Sequence, residues 1–257
     1  MIGIWTLFPF LLHTPLSIGF HSMLTLLFAF NTRFNYTLAS FTSPGASHTP
    51  AHVSLLKKPH QGAYAHYRFC KPCQSAKPPD THHCRLCETC IIDMDHHCPF
   101  ISNCVGRRNL RPFIIFLAYA VTSCAYLGSM TTYAITQHME PFSQVMMGRA
   151  TLHYSRAHGG LKDRVRLCPI WCGGALWITS ADVVLSVGLL LVLQLRYISQ
   201  GVPTLTKLTG AKQRDQAVDN FRAVFGPGHP ITWVLPRFRT PQGAHCSSLP
   251  LREKRER

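Results

Sequence analysis

The residues most suited to chemistry lie between positions 70 and 104, where seven of the eleven cysteines are found. Four histidines lie among them, and the short Cys-x-x-Cys spacings are typical of tetrahedral zinc sites. Two such sites need eight ligands, which six of these cysteines and two of the histidines would supply. The cysteines are Cys70, Cys73, Cys84, Cys87, Cys90, Cys98 and Cys104, and the histidines are His82, His83, His96 and His97.

The cysteine left over is Cys98, in the tetrapeptide Asp95-His96-His97-Cys98. A thiol, a histidine that can accept its proton and an aspartate that can orient that histidine are the parts of an activated nucleophile. The spacing therefore predicts Cys98, His96 and Asp95 as catalytic residues. A purely structural zinc module with one idle cysteine is the alternative.

Composition and charge indicate a membrane protein. The 257 residues carry a formal charge of +15 and are 46% hydrophobic, with apolar blocks separated by basic segments. Basic residues beside apolar blocks are typical of the cytoplasmic side of a membrane protein, and they disfavour nucleic-acid binding. Clustered thiols with metal spacing indicate a reducing compartment. The first thirty-two residues contain no Lys, Arg, Asp or Glu, so no cleavable signal peptide is evident.

The fold class predicted from these blocks is an all-α polytopic membrane protein with three or four transmembrane helices and a small, irregular two-zinc module. The N-terminal block exceeds one span and falls short of two. It is interpreted as a partial first span up to about Leu12 and a full span from about Leu16 to Ala39, with a single tilted helix as the alternative. The predicted regions are an N-terminal transmembrane region (1–40), a cytosolic loop and Cys-rich zinc domain (41–111), a transmembrane helix (112–135), a luminal loop (136–173), a transmembrane helix (174–198) and a cytosolic basic tail (199–257).

Basic residues next to the spans predict that the Cys-rich module and the tail share one side of the membrane, the cytoplasm. Arg107, Arg108 and Arg111 precede one span, and Arg196 closes the other. Two spans return the chain to its starting side in either orientation. Basic residues in the 136–173 loop favour the opposite orientation, but the shared side of the module and the tail does not depend on which orientation holds.

The Cys-rich segment resembles the DHHC-type protein S-acyltransferases, the palmitoyltransferase family. Their pattern is Cys-x2-Cys-x9-His-Cys-x2-Cys-x2-Cys-x4-Asp-His-His-Cys-x5-Cys-x4-Asn-x3-Phe, and the chain fits every interval. The matching residues are Cys70, Cys73, His83, Cys84, Cys87, Cys90, Asp95, His96, His97, Cys98, Cys104, Asn109 and Phe113.

The resemblance is weaker outside this segment. Ser43-Pro44-Gly45 stands where the family has Asp-Pro-Gly, and Pro203-Thr204-Leu205-Thr206 stands where it has Thr-Thr-x-Glu. Phe100 replaces the usual Trp after the Cys-Pro pair. The segments 220–226 and 233–236 resemble the family's aromatic C-terminal motif. Because a glutamate is lost and the first span is short, a catalytically impaired or inactive family member is an alternative.

The resemblance implies two structural zinc ions held in an interleaved arrangement, with His82 as a bystander. The implied ligands are Cys70, Cys73, His83 and Cys90 for one ion, and Cys84, Cys87, His97 and Cys104 for the other.

The resemblance also implies a two-step acyl transfer. Cys98 would take a long-chain acyl group such as palmitate from acyl-CoA as a thioester, with His96 as base and Asp95 fixing the imidazole. It would then pass the acyl group to a cysteine of a protein substrate. A membrane-tethered zinc-binding scaffold for protein interaction is the non-enzymatic alternative, and Cys246 in the tail is a candidate acylation target.

The partners implied are membrane-associated proteins with cytosolic cysteines, long-chain acyl-CoA and the lipid bilayer, without nucleic acid. The location implied is integral and multi-pass, in the endomembranes (ER or Golgi) or the plasma membrane, with the catalytic module in the cytosol.

Overall fold

A computed structural model describes residues 15–46, 67–138, 161–201, 217–226 and 228–233. The predicted partial span up to Leu12, the segment 203–206 and Cys246 lie outside the described residues. The helices are α1 (Pro15–Phe41), α2 (Leu110–His138), α3 (Leu161–Ser199), α4 (Ala217–Phe225) and α5 (Pro230–Trp233).

The described residues fall into two compact units. One unit holds the described residues of Met1–Thr32 and Leu117–Leu191, which are parts of the three long helices. The other holds those of Arg33–Phe116 and Val192–Arg257, which include the Cys-rich segment and the remaining ends of the long helices. All residues predicted to act chemically belong to the second unit.

Two described helices are long and apolar enough to cross a membrane, over Leu110–Tyr133 in α2 and Gly173–Ser199 in α3. They cover 24 and 27 residues. Helix α1 also has 27 residues, but polar side chains such as Asn31 and Arg33 interrupt its apolar sequence. Length and composition therefore support two of the predicted spans.

Both apolar helices extend beyond the spans predicted from composition. Helix α3 begins at Leu161, inside the segment 136–173 that was expected to be a loop. The segment contains Lys162, Asp163 and Arg164, and charged residues mark the end of an apolar run but do not prevent helical hydrogen bonding. Composition thus locates the apolar part of a helix better than its ends.

The Cys-rich segment folds into three antiparallel hairpins, whereas the sequence predicted an irregular module. Regular pairing arises because each short turn reverses the chain and aligns the residues on either side of it. The pairs are β1 (Arg68–Cys70) with β2 (Ser75–Lys77), β3 (Thr81–Cys84) with β4 (Thr89–Ile92), and β5 (His96–Cys98) with β6 (Asn103–Val105).

Two asparagine side chains tie the third hairpin to the end of α1. The Asn103 amide donates to the carbonyls of Ala39 and Thr42, at 3.3 and 3.0 Å. The fully buried Asn109 donates to the Ala39 carbonyl at 3.0 Å and to the Cys104 carbonyl at 2.8 Å. The last carbonyls of a helix lack intrahelical partners, so these amides both cap α1 and fix the hairpin. Asn109 also directly precedes α2.

The short helices α4 and α5 join the second unit through aromatic and polar contacts. The rings of Phe225 and Trp233 stack with centroids 5.3 Å apart. The Asn220 amide donates to the Ser199 carbonyl at the end of α3 at 3.0 Å, and Arg111 donates to the Trp233 carbonyl at 3.3 Å. These contacts hold α4 against the end of α3 and α5 against the start of α2.

Candidate active site and metal centres

Two groups of four Cys and His side chains converge in the hairpins. Within each group, the ligand atoms all lie within 4.8 Å of one another. The groups are Cys70, Cys73, His83 and Cys90, and Cys84, Cys87, His97 and Cys104. They are the two sets that the family resemblance implies, and His82 belongs to neither.

The separations within the groups fit tetrahedral zinc. Cys87 Sγ lies 3.4 Å from both His97 Nδ1 and Cys104 Sγ, and Cys90 Sγ lies 3.7 Å from Cys73 Sγ. A zinc ion bound to sulfur at about 2.3 Å would place its sulfur ligands about 3.8 Å apart. Four protein donors fill the coordination shell, as in structural zinc sites, so these residues could hold two metal ions without an open position for substrate.

The three hairpin turns repeat every fourteen residues. Each begins with a cysteine and ends with a residue of positive φ, at 49°, 53° and 49°. The first residues are Cys70, Cys84 and Cys98, and the last are Gln74, Glu88 and Ser102.

Each metal group combines one turn with the hairpin that follows it. The first group takes both cysteines of the first turn, and a histidine and a cysteine of the second hairpin. The second group repeats this arrangement one hairpin later. The third hairpin is followed by α2, and Ile101 stands where the earlier turns have their second cysteine. Cys98 thus occupies a ligand's place in the repeat and yet lies outside both metal groups.

Side-chain alternation on β5 separates the metal group from Cys98. Successive side chains of a strand point to opposite faces, so His97 turns towards the metal group, and His96 and Cys98 share the other face. The His96 ring packs edge-on against the buried ring of Phe113, with centroids 5.5 Å apart. Phe113, the last residue of the matched pattern, thus supports the predicted base.

A buried carboxylate orients the imidazole. Asp95 is 5% exposed, and its Oδ2 accepts a hydrogen bond of 2.9 Å from His96 Nδ1. An ionised carboxylate can only accept, so Nδ1 carries the proton and Nε2 is left for the Cys98 thiol. The three predicted residues are therefore brought together in the order acid, base and thiol.

The structure adds Gln194 of α3, which the sequence did not single out. Its Nε2 donates to the same Asp95 Oδ2 at 2.7 Å, and its side chain is buried. The available sequence signal was a lone amide among leucines in the apolar segment Gly173–Ser199.

The electrostatics of the site favour a reactive thiol. Burial acts to raise the pKa of Cys98, but hydrogen bonds from His96 and from the backbone amides of Ile101 and Phe100 outweigh it and lower that pKa. Burial acts to lower the pKa of His96, but contacts with Asp95 and Cys98 raise it to about 9. These opposite shifts favour transfer of the thiol proton to the imidazole, and the resulting thiolate is the nucleophilic form of a cysteine.

The chain matches the family model described as DHHC palmitoyltransferase over residues 63–211. It is similar to probable protein S-acyltransferase 16 of Arabidopsis thaliana, at 38% identity over 38% of either chain. It is also similar to palmitoyltransferase ZDHHC15 of Xenopus laevis, at 44% identity over 34% of this chain and 25% of the relative. Palmitoyltransferase ERF2 of Saccharomyces cerevisiae is 32% identical over 55% of this chain and 41% of the relative. The chain thus spans less than half the length of each of these relatives.

Proposed function

Because the chain belongs to the DHHC palmitoyltransferase family, we propose that it is a protein-cysteine S-palmitoyltransferase that works through an acyl-enzyme on Cys98. One observation carries the proposal: a buried Asp95 holds His96 at 2.9 Å beside a cysteine that neither metal group uses. A zinc-binding scaffold would need the two metal groups but not this arrangement. The relatives' printed names, palmitoyltransferase and protein S-acyltransferase, support the same activity.

The first step is transfer of the acyl group from CoA to Cys98. The Cys98 sulfur attacks the thioester carbonyl carbon while His96 Nε2 takes the thiol proton. The bond between that carbon and the CoA sulfur then breaks, and the departing CoA sulfur receives the proton from His96. One thioester is exchanged for another, so the step needs no oxidant and no external energy source.

The second step passes the acyl group to a protein substrate. The sulfur of a substrate cysteine attacks the same carbonyl carbon, with His96 again taking the proton. The bond to Cys98 breaks, and the proton returns to the Cys98 sulfur, which restores the enzyme. Asp95 keeps the imidazole in one tautomer throughout both steps.

Zinc is proposed as the metal of both groups, with a structural role. When bound, it would hold together hairpins that are too short to form a large hydrophobic core. His97 belongs to the second group, so zinc there would also fix β5 and the neighbouring residues His96 and Cys98. The proposed chemistry itself uses only protein side chains.

The membrane supplies the acyl substrate in this proposal. Each buried CH₂ group favours the bilayer over water by about 0.8 kcal/mol, so a palmitoyl chain stays in lipid while its thioester reaches the surface. Cys98 lies shortly before α2, and Phe100 beside it is 85% exposed, which suits contact with lipid. Arg108 is exposed and can contact CoA phosphates. Arg107 is also exposed, but its guanidinium pairs with Asp93 at 3.4 Å, and Arg111 is buried against the Trp233 carbonyl.

The proposed arrangement has three or four spans, with the Cys-rich module and the tail in the cytosol. The proposed location is the endomembrane system or the plasma membrane. The proposed partners are membrane-associated proteins that present cytosolic cysteines. The two apolar helices support a membrane location.

A turnover assay tests the proposal. The full chain is purified in detergent and given palmitoyl-CoA with a thiol acceptor peptide, and free CoA and acylated peptide are both measured. We expect both products from the wild type and neither from Cys98→Ala. Equal product formation by the two proteins would show that Cys98 does not carry the reaction.

A further inference from the structure

A single polar side chain links α3 to the candidate active site. Gln194 lies within the apolar segment Gly173–Ser199, among leucines and valines, and is only 5% exposed. A buried amide is costly unless it forms hydrogen bonds. Its amide nitrogen donates to Asp95 Oδ2 at 2.7 Å. A residue ninety-nine positions away in sequence thus contacts the proposed catalytic acid.

Gln194 and His96 donate to the same carboxylate oxygen. Asp95 Oδ2 accepts from His96 Nδ1 at 2.9 Å and from Gln194 Nε2 at 2.7 Å. The main chain of Asp95 is also held, because its amide donates to the Val105 carbonyl at 2.9 Å. Asp95 is therefore held at two points: β6 holds its backbone, and α3 holds its carboxylate.

The orientation of the His96 imidazole depends on the Asp95 carboxylate. A single hydrogen bond between neighbouring residues Asp95 and His96 leaves the torsions of the acid free to change, and the imidazole would follow it. A second donor from another element restricts those torsions and thus the direction of Nε2 towards Cys98. Small errors in such positions have large effects on rate.

We infer that Gln194 is a positioning residue that holds the Asp95 carboxylate, and through it His96, in the geometry that activates Cys98. The inference rests on the proposed function of the Asp95–His96–Cys98 site. Gln194 would act through Asp95 and touch neither the acyl group nor the thiol.

The test is a double-mutant cycle between Gln194→Met and Asp95→Ala. Methionine keeps the length and shape of glutamine but cannot donate. The readout is the rate at which iodoacetamide alkylates Cys98 in the purified full chain at neutral pH, followed on the Cys98 peptide by mass spectrometry. Zinc content confirms that each variant is folded. Leu193→Met is the matched control, because it places the same side chain at the adjacent, 39% exposed position.

We expect Gln194→Met to slow alkylation about tenfold, the scale of one hydrogen bond to a charged group, with Leu193→Met unchanged. In the Asp95→Ala background the same substitution should have no further effect, because Gln194 then has no carboxylate to hold. An equal loss in both backgrounds would show a general packing role and overturn the inference. The inference would also be overturned if Gln194→Met caused no loss in the chain that retains Asp95.

The same measurements separate this inference from the proposed function. Alkylation requires no acyl-CoA, so the cycle can be read even if the chain never transfers an acyl group. A non-additive cycle without acyl transfer would refute the proposed function but leave the positioning role of Gln194 intact. An additive cycle with normal acyl transfer would refute the positioning role of Gln194 but leave the proposed function intact.

Discussion

Two histidines at equivalent positions of the repeat differ in their surroundings. His82 and His96 each precede a metal-group histidine, in Thr81-His82-His83-Cys84 and Asp95-His96-His97-Cys98. Burial and the nearby cations Lys77 and Arg68 lower the pKa of His82, whereas Asp95 helps to raise that of His96. The residue before each histidine pair therefore accounts for the difference: Thr81 precedes the bystander His82, and Asp95 precedes the proposed base His96.

This contrast provides a matched pair of substitutions. We expect His96→Ala to slow acylation of Cys98 by about a hundredfold or more, the usual scale of general-base catalysis. His82→Ala should change the rate by less than about threefold, because His82 belongs to neither metal group and takes no part in the proposed chemistry. Single-turnover acylation with palmitoyl-CoA, followed by mass spectrometry, measures both rates. Similar losses in the two variants would contradict the assignment of His96 as the base.

The interleaving of the two metal groups follows from the hairpin repeat. Each of the first two turns supplies two cysteines, and the next hairpin supplies a histidine and a cysteine, so three hairpins make two complete sites. Cys98 begins the third turn and is left over. Ligand types and spacings predicted two zinc sites and a spare thiol, but they could not assign each histidine to its site. A fourteen-residue offset, visible in the recurring His-His-Cys, is the sequence signal that would have done so.

The repeat predicts different metal contents for two cysteine variants. Cys87→Ser removes a ligand of the second group, so we expect this variant to keep about one of two zinc ions. Cys98→Ser removes no ligand and should keep both. Metal analysis of the purified proteins measures the zinc content. Loss of zinc from Cys98→Ser would place Cys98 in a metal site and remove it from the proposed chemistry.

The junction between α1, the third hairpin and α2 depends on Asn109. Its side chain donates to the carbonyls of Ala39 and Cys104 and accepts from the Gly106 amide at 2.9 Å. Replacement by alanine leaves three buried backbone groups without these partners. We expect Asn109→Ala to lower the free energy of unfolding by about 3 kcal/mol. Thermal denaturation of the detergent-solubilised chain, compared with an exposed control such as Ser129→Ala, tests this value, and equal stability would refute the role.

Several long-range contacts and the helix ends could not be predicted from the sequence. Asn109 and Phe113 matched a family pattern, but their contacts depend on which elements meet in three dimensions. Gln194 lies far from Asp95 in sequence, and only the packing of α3 beside β5 brings them together. The ends of α2 and α3 were also uncertain, because helical hydrogen bonding continues past the apolar residues that define a span. Local chemistry was thus more predictable than long-range contacts.

At the scale of the whole molecule, the main prediction is sidedness. Two apolar helices separate the Cys-rich segment from the tail, so both should lie on one side of the membrane. Glycosylation acceptor sites inserted singly into 47–66, 139–160 and 241–257 can be tested in microsomes. We expect modification within 139–160 alone. Modification of only one of the two flanking segments, 47–66 or 241–257, would place them on opposite sides of the membrane. That result would contradict a path with two spans between them.

The acyl-enzyme on Cys98 is the central claim, and covalent labelling tests it most directly. The wild type, Cys98→Ser and the control Cys124→Ser are expressed in membranes and given alkyne-tagged palmitate. We predict a hydroxylamine-sensitive label on the wild type and on Cys124→Ser, mapped to the Cys98 peptide, and its loss from Cys98→Ser. Equal label on the wild type and Cys98→Ser would contradict the account, because the acyl group would then reside on another cysteine and the chain would be a substrate of acylation.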